Sequence, residues 1–293
     1  MKKNHLKYLT SLLIFGMNGI IASQIALSSY EIVFVRTLIG SLFLIAVLVL
    51  TQRKTHLRQN RKHLLYLIVS GIAMGTSWVF LYEAYRQIGV GIASLLYYCG
   101  PVIVMVLAPV IFREKLTWPK AAGFLIVLAG MLCVNAQVLH EGKTAWGLFC
   151  GFMSAILYAV MVIFNKKANS ITGLENSMEQ LTAAFLTVAA FVVIKQGFVF
   201  HMEPGNWIPI LVLGLINTGI GCYLYFSSIG NLPVQTVAIC GYVEPLSAVI
   251  FSMVFLHERM TGYQIIGAIL ILGGAAFGEL ITPHNKSNTV SIT

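Results

Sequence analysis

Residues 240–267, CGYVEPLSAVIFSMVFLHERMTGYQIIG, repeat residues 96–123, LYYCGPVIVMVLAPVIFREKLTWPKAAG, without a gap. Equivalent residues lie 144 positions apart, and they include residue types that an apolar composition does not supply by chance. The matched pairs are Tyr98/Tyr242, Pro101/Pro245, Glu114/Glu258, Thr117/Thr261, Gly123/Gly267 and Gly130/Gly274. The chain therefore consists of two related halves. One position breaks the symmetry, because Gly100 in the first half corresponds to Glu244 in the second.

The composition is that of a membrane protein. Hydrophobic residues make up 58% of the 293 residues and charged residues 10%, and the mean hydropathy is +0.84. Soluble domains carry about 25% charged residues. The net charge of +9 does not indicate nucleic-acid binding. The basic residues fall in short loops between apolar runs, where the positive-inside rule places them.

Several classes of membrane enzyme are excluded by residues that are missing from the sequence. The chain has no aspartate, which intramembrane aspartyl proteases require. The segment His257–Thr261 begins like a zinc-protease HExxH motif but has threonine where the second metal ligand must stand. No GxSxG nucleophile motif and no GxxxxGK[ST] nucleotide loop occur. The five cysteines lie in apolar runs without metal-site spacing. We therefore predict no enzymatic activity and no cofactor.

Ten apolar runs approach the length of about 20 residues that a membrane-spanning helix needs. A cleaved signal peptide is the alternative interpretation of the first run, but that run continues to Leu27 and is long enough to span. The sequence thus predicts an all-α integral membrane protein with ten transmembrane helices. The runs are 6–27, 30–50, 64–86, 90–112, 118–139, 144–165, 177–196, 207–228, 233–255 and 262–281.

The distribution of basic residues predicts the orientation. With a cytoplasmic N-terminus, 14 of the 19 Lys and Arg residues lie in inner segments, four lie in outer segments and Arg36 lies within a span. We therefore expect both termini to be cytoplasmic in the cell membrane. Five helices per half is an odd number, so the second half must be inverted relative to the first. We expect a first repeat over 1–140, an inverted second repeat over 141–284 and a cytoplasmic tail over 285–293. Inverted repeats are typical of secondary transporters.

Glu244 is the first candidate functional residue. It lies midway along the ninth run and directly before Pro245, which removes a backbone hydrogen bond and can open the helix locally. A carboxylate within the bilayer is costly and is by default a functional candidate. Glu244 could bind a cationic group or carry a proton. The alternative is a structural hydrogen-bond acceptor that never titrates.

Arg36 and its repeat equivalent Gln180 form the second candidate pair. Arg36 lies near the outer end of its helix, where a long side chain can extend to the interface. The functional alternative is a clamp for a substrate carboxylate, or a partner for Glu244. Gln180 and Asn18 are polar amides within spans, for which contacts between helices are the common role. We carry both as candidate substrate-binding residues.

Aromatic residues form the third candidate feature. Trp78, Tyr82 and Tyr85 lie at i, i+4 and i+7, on one face of a helix. Rings with polar edges can line a site for organic solutes, and an interfacial belt is the alternative role. We interpret Tyr85 and Tyr97 as belt residues. The aromatic residues predicted to line a cavity are Trp78, Tyr82, Tyr98, Tyr158 and Tyr242.

These residues resemble the ten-helix EamA-type branch of the drug/metabolite transporter superfamily. The resemblance covers nearly the whole chain. It rests on the two copies of the Pro–Glu–Thr–Gly pattern, on the segment from Tyr242 to Pro245, and on Arg36 in the second helix. It implies two inverted five-helix repeats around a central cavity, with the fifth and tenth helices outside it. It also implies transport of a small organic solute, often outward.

The sequence therefore predicts a secondary transporter that works by alternating access. The solute is an amino acid, a nucleoside, another metabolite or a drug. Coupling to protons through Glu244 and uncoupled facilitation both stay open, and a membrane sensor or scaffold is the alternative from another class. The expected partners are the solute, the lipid bilayer and, for a coupled mechanism, protons. Glu114 and Glu258 are interpreted as capping residues at helix boundaries. The oligomeric state is left open.

Overall fold

The computed structural model describes residues 2–52, 60–134, 144–197, 204–255 and 262–280, and every regular element within these ranges is helical. A 3-10 turn, Pro204–Asn206, precedes the helix that begins at Trp207, and a π-helical segment, Val212–Ile220, joins that helix to the one that begins at Gly221. In chain order the α-helices are α1 Lys2–Gly16, α2 Asn18–Ala22, α3 Ser29–Leu50, α4 Arg61–Tyr97, α5 Gly100–Phe112, α6 Trp118–Val134, α7 Ala145–Lys167, α8 Gly173–Gln196, α9 Trp207–Leu211, α10 Gly221–Ile229, α11 Val234–Cys240, α12 Val243–Phe255 and α13 Gly262–Leu280.

Five described segments are long and apolar enough to cross a membrane. Shorter apolar helices lie at 100–112, 118–133 and 265–278. The predicted all-helical membrane fold is confirmed, and the number of ten spans stays a prediction. The five long segments are Ser29–Leu50, Arg61–Ile88, Ala145–Lys167, Gly173–Lys195 and Trp207–Ile229.

Two of the predicted continuous runs are divided, and the divisions fall at equivalent positions. The run 90–112 is interrupted between α4 and α5, and the run 233–255 is interrupted between α11 and α12. Pro101 and Pro245 follow these breaks directly. Proline has no N–H to donate to the carbonyl four residues earlier, so the helix cannot continue through it undisturbed. The break before Pro245 brings Glu244 into the first turn of α12.

Three other predicted boundaries are corrected. The first run is divided at Met17, between α1 and α2. Helix α4 passes without a break through the predicted boundary between 86 and 90. The run 207–228 contains the π-helical segment, in which the wider turn lets the Thr218 hydroxyl donate to the Leu213 carbonyl oxygen at 2.8 Å.

Helix boundaries repeat at the offset seen in the sequence. Helix α3 begins at Ser29 and α8 at Gly173, and α6 begins at Trp118 and α13 at Gly262. Both pairs of starting residues are 144 positions apart. The two related halves of the sequence therefore form equivalent helices.

The equivalent helices α6 and α13 pack closely and antiparallel. A Cβ atom added to Gly123 would lie 2.5 Å from the Gly274 carbonyl oxygen, and one added to Gly130 would lie 2.7 Å from the Gly267 carbonyl oxygen. Each glycine thus contacts the repeat equivalent of the other. Residue numbers rise along α6 while they fall along α13, so the two helices run in opposite directions at this contact. Only glycine permits such close approach of two backbones.

Helices α3 and α8, which are also equivalent, pack antiparallel through aromatic rings. The ring centroids of Tyr30 and Phe191 are 5.3 Å apart, and those of Phe34 and Phe185 are 5.6 Å apart.

The capping prediction for Glu114 is confirmed, because its carboxylate accepts hydrogen bonds from the first two N–H groups of α11 at 2.8 and 3.3 Å. Glu258, Thr261 and the predicted tail 285–293 lie outside the described residues.

Candidate functional site

A cavity of about 490 Å³ lies between the helices of the two halves. Its lining comes from α1, α2, α3 and α4 of the first half and from α7, α10 and α12 of the second. Cavities of about 300–1,000 Å³ are typical of sites for small molecules. Because both halves contribute, a relative movement of the halves would change the shape of the cavity.

Arg36 and Glu244 both line this cavity, as the sequence predicts for two candidate site residues. Among the described residues, neither forms an ion pair, so their charged atoms are more than 4.0 Å apart. A basic and an acidic side chain thus lie in one cavity without direct contact between their charged groups. Ionised groups in a membrane interior are rare and mark substrate or ion pathways.

The Arg36 guanidinium is held in place by three neighbours and does not extend to the interface. Its Nε donates to the Thr218 hydroxyl at 2.9 Å, and its Nη2 donates to the Asn18 amide oxygen at 3.4 Å. The guanidinium carbon lies 4.9 Å from the centre of the Trp78 ring, in a cation–π arrangement. Arg36 is only 5% exposed. These contacts orient the remaining N–H donors of a rigid, planar group.

The Glu244 carboxylate accepts no hydrogen bond from a described residue. Its own backbone is satisfied, since its N–H donates to Gly241 at 3.2 Å and its carbonyl oxygen accepts from the Ser247 hydroxyl at 2.7 Å. The carboxylate therefore faces the cavity with its acceptor capacity available. That arrangement differs from a structural acceptor, which would be expected to have a neighbouring donor.

The structure explains why the equivalent position in the first half is glycine. A Cβ atom at Gly100 would lie 2.6 Å from the ring of Tyr158 and 3.1 Å from the Ala155 carbonyl oxygen. The Tyr158 ring therefore occupies the space that a side chain at this position would need. The cavity gains an aromatic wall where the repeat could have supplied a second carboxylate.

Four predicted aromatic residues and one predicted amide lie in the cavity lining. Tyr85 and Tyr97, interpreted from the sequence as belt residues, also line the cavity, which corrects that interpretation. The ring centroids of Tyr85 and Tyr82 are 5.1 Å apart, and those of Tyr97 and Tyr158 are 5.3 Å apart. The predicted residues that line the cavity are Asn18, Trp78, Tyr82, Tyr98 and Tyr158.

Tyr242 and Gln180 lie outside the cavity lining. Tyr242 is fully buried, and its hydroxyl donates to the Tyr98 carbonyl oxygen at 2.8 Å. Gln180 is also fully buried, where it accepts from Asn165 at 3.1 Å and donates to Ser70 at 2.8 Å. Both side chains have protein partners, so the structure gives them positions in the packing between helices.

The lining also includes residues that the sequence analysis did not single out. Tyr225 and Phe226 of α10 and Met161 of α7 are among them. The repeat could have indicated Phe226, because it is the equivalent of Tyr82. No sequence pattern marks Tyr225 or Met161, since their role depends on which helix faces lie opposite one another.

The cavity is open at one end and closed at the other. At the open end it reaches the connection between α2 and α3, where Ser23 lines it and is exposed. At the closed end the hydroxyls of Tyr158 and Tyr225 are 3.2 Å apart and bridge α7 to α10. The Tyr8 hydroxyl, near the start of α1, donates to Val237 of α11 at 2.8 Å. The closed end is therefore the end at which α1 begins.

An all-helical membrane protein with a charged, aromatic cavity between two related halves is the architecture of a solute transporter. The chain belongs to the EamA-like transporter family, whose sequence model matches residues 3–136 and again residues 145–278. The family relation also classes the protein as a transporter and not as an enzyme.

Individual proteins show the same relation over nearly full length. The uncharacterized transporter YxxF of Bacillus subtilis (strain 168) is 28% identical over 295 residues, which cover 98% of this chain and 92% of YxxF. The threonine/homoserine exporter RhtA of Escherichia coli (strain K12) is 24% identical, over 86% of this chain and 82% of RhtA. A solved crystal structure of another protein matches with a TM-score of 0.82 at 19% identity, over 94% of this chain and 97% of that chain. That likeness shows a shared fold.

Proposed function

We propose that this transporter exports a small zwitterionic solute of the amino-acid class through the cavity, by alternating access and coupled to protons. The observation that carries the proposal is the presence of Arg36 and Glu244 in one cavity without an ion pair between them. A solute with one carboxylate and one ammonium group can satisfy both charges at once. The likeness to RhtA, a threonine/homoserine exporter, supports the same class.

The proposed binding mode gives each end of the solute a partner. Arg36, oriented by Thr218, Asn18 and Trp78, binds the carboxylate. Glu244 binds the ammonium group. The rings of Tyr82, Tyr98 and Tyr158 enclose the apolar body and offer hydroxyl groups at its edge. A cavity of about 490 Å³ has room for a side chain larger than that of threonine.

Alternating access requires two groups of helices that move against each other around the cavity. We propose that residues 1–140 and 141–284 form inverted repeats with ten spans in total, followed by a cytoplasmic tail at 285–293. The antiparallel contacts of α6 with α13 and of α3 with α8 support this arrangement. Equivalent helices of inverted repeats run in opposite directions.

The proposed location is the cell membrane with both termini cytoplasmic. The support is the excess of Lys and Arg in the segments on the N-terminal side. In that orientation the cavity is open to the outside. A proton that binds Glu244 from the outside would then compete with the solute ammonium for the carboxylate and favour release of the solute. Inward proton movement would thereby drive export.

Transport by the purified protein in liposomes tests the proposal. We expect L-phenylalanine or L-threonine to accumulate on one side when a pH gradient is imposed. Phenethylamine, which lacks the carboxylate, and 3-phenylpropionate, which lacks the amine, are expected to compete weakly. Glu244→Gln should abolish accumulation and proton movement. Glu179→Gln is the matched control, because Glu179 lies on α8 outside the cavity lining and should transport as wild type does.

Three results would count against the proposal. Accumulation that is unchanged in Glu244→Gln would reduce this carboxylate to a structural role. Equilibration without accumulation at any pH gradient would make the protein an uncoupled facilitator with the same cavity. Absence of any amino-acid flux would overturn the substrate class.

A further inference from the structure

Two charged side chains form hydrogen bonds with the backbone at the connection between α10 and α11, at the closed end of the cavity. The Lys166 ammonium, near the end of α7, donates to the carbonyl oxygens of Ile229, at 3.3 Å, and of Leu232. The Glu114 carboxylate, just after α5, accepts from the N–H groups of Val234 and Gln235 on the other side of the same connection. A cation holds the carbonyls and an anion holds the amides, so the connection 230–233 is fixed from both sides.

The repeat shows that the cation has no counterpart at the open end. The equivalent of Lys166 is Ala22, which lines the mouth of the cavity. The equivalents of Ile229 and Leu232 are Tyr85 and Ile88 of α4. If the open end closed by the same contacts, the Ala22 methyl group would stand where the ammonium stands at the closed end. A methyl group donates no hydrogen bond to backbone carbonyls.

A second polar contact is asymmetric in the same sense. The hydrogen-bonded pair Tyr158 and Tyr225 crosses the closed end of the cavity. Its repeat equivalents are Ile14 and Leu81, which have no hydroxyl groups. The closed end is thus held by polar contacts that the equivalent positions at the open end cannot reproduce.

From these contacts we infer that Lys166 is a latch that biases the protein towards the conformation with the cavity open at the α2–α3 end. The inference rests on the proposed alternating access, and it adds the residue that sets the resting state. Lys166 and the connection lie in the same half, but α7 packs on α4 and α10 packs on α1. Opening of the closed end therefore moves α4 and α7 away from α1 and α10. This movement separates Lys166 from the connection and exposes the carbonyls of Ile229 and Leu232 to water. Without the ammonium, those carbonyls lose a charged donor in the closed arrangement but are still solvated in the open one. Removal of the ammonium therefore destabilises closure at this end selectively.

Distances between spin labels measure the bias directly. One pair of ketone-bearing amino acids at positions 62 and 231 reports on the closed end, and a second pair at 23 and 86 reports on the open end, because all four native residues are exposed. This chemistry leaves the five native cysteines unlabelled. The full chain is measured in lipid nanodiscs, without solute, by double electron–electron resonance.

Lys166→Met keeps the length of the side chain and removes its charge. We expect it to raise the population with a longer 62–231 distance and a shorter 23–86 distance by roughly tenfold, the effect of losing one hydrogen bond to a charged group. Lys166→Arg should restore the wild-type distribution. Lys167→Met is the matched control, because the neighbouring ammonium lies 5.7 Å from the Phe164 ring and does not hold the connection. A merely structural lysine would lower thermal stability without moving the two distances in opposite directions.

Two different failures are separable. If 1 mM L-phenylalanine or a pH change shifts the wild-type distances but Lys166→Met does not, the latch is overturned and alternating access stands. If neither the 62–231 distance nor the 23–86 distance changes in any variant, with any solute or at any pH, alternating access itself is overturned. The latch is then overturned with it.

Discussion

The Tyr242 hydroxyl donates a hydrogen bond of 2.8 Å to the backbone carbonyl oxygen of Tyr98, its own repeat equivalent 144 positions earlier. Two equivalent residues touch each other only near the axis that relates their halves. The ring centroids of the two tyrosines are 6.5 Å apart, so the contact is made by the rings as well as by the hydrogen bond. Tyr98 lines the cavity on the other side of this contact. Tyr242 therefore acts as the support of a cavity wall.

Tyr242→Phe should lower stability and leave solute affinity nearly unchanged. The variant keeps the buried ring and removes only the hydrogen bond to Tyr98, which contributes about 0.5–1.5 kcal/mol. We expect a thermal midpoint lower by a few degrees, measured by fluorescence in one detergent. Tyr98→Phe is the comparison. Tyr98 lines the cavity, so loss of its hydroxyl should lower the affinity for the solute. A tenfold loss of affinity in Tyr242→Phe would place Tyr242 in the binding site.

Arg36→Gln should weaken carboxylate-bearing solutes selectively. The loss of a hydrogen bond to a charged group corresponds to about 1.5–3 kcal/mol, or roughly a tenfold to hundredfold weaker Kd. Thr218→Val removes the 2.9 Å contact that orients Arg36 and should produce a smaller change in the same direction. Titration calorimetry with L-phenylalanine and phenethylamine distinguishes the effects. An equal loss for both ligands would show that Arg36 acts through packing.

The repeat predicts equivalent positions well and equivalent environments poorly. Arg36 and Gln180 are repeat equivalents, yet Arg36 faces the cavity and Gln180 lies among buried polar side chains of α4 and α7. Periodicity correctly placed Trp78, Tyr82 and Tyr85 on one helix face. It could not decide whether Tyr85 faces lipid or cavity, because that depends on the helix packed opposite, α1 or α10, and on how the two halves are tilted.

The interruptions of the helices were predictable in part. Pro101 and Pro245 mark the two equivalent breaks, because proline removes the same hydrogen bond in each half. The π-helical segment Val212–Ile220 has no proline within it, and no pattern within the segment predicts its wider turn. It is accommodated by contacts with other elements, such as the Asn217 amide, which donates to the Ile14 carbonyl oxygen at 2.7 Å.

Gln180→Leu should destabilise the fold without affecting the solute. The side chain joins three helices, since it accepts from Asn165 of α7 and donates to Ser70 of α4. Leucine would leave both partners without these bonds in a buried position, at a cost of about 1–3 kcal/mol. Thr187→Val is the control on the same helix, because its hydroxyl bonds only within α8, to Ala183. Thermal unfolding and solute binding are measured on both variants. A lower affinity for the solute in Gln180→Leu, with unchanged stability, would contradict this assignment.

Gly123→Ala should separate α6 from α13. Its new Cβ atom would meet the Gly274 carbonyl oxygen at 2.5 Å and the Gly278 nitrogen at 2.8 Å. Both contacts are backbone atoms that no rotamer change can move, so we expect a loss of about 1–3 kcal/mol, as for overpacked cores. Gly273→Ala is the matched control, because nothing lies within 4 Å of its Cβ position and alanine favours a helix by up to about 1 kcal/mol. Thermal midpoints in one detergent should therefore fall for the first variant and hold or rise for the second. Solute affinity should stay unchanged in both, since neither helix lines the cavity. Equal stability of the two variants would show that α6 and α13 do not pack through Gly123.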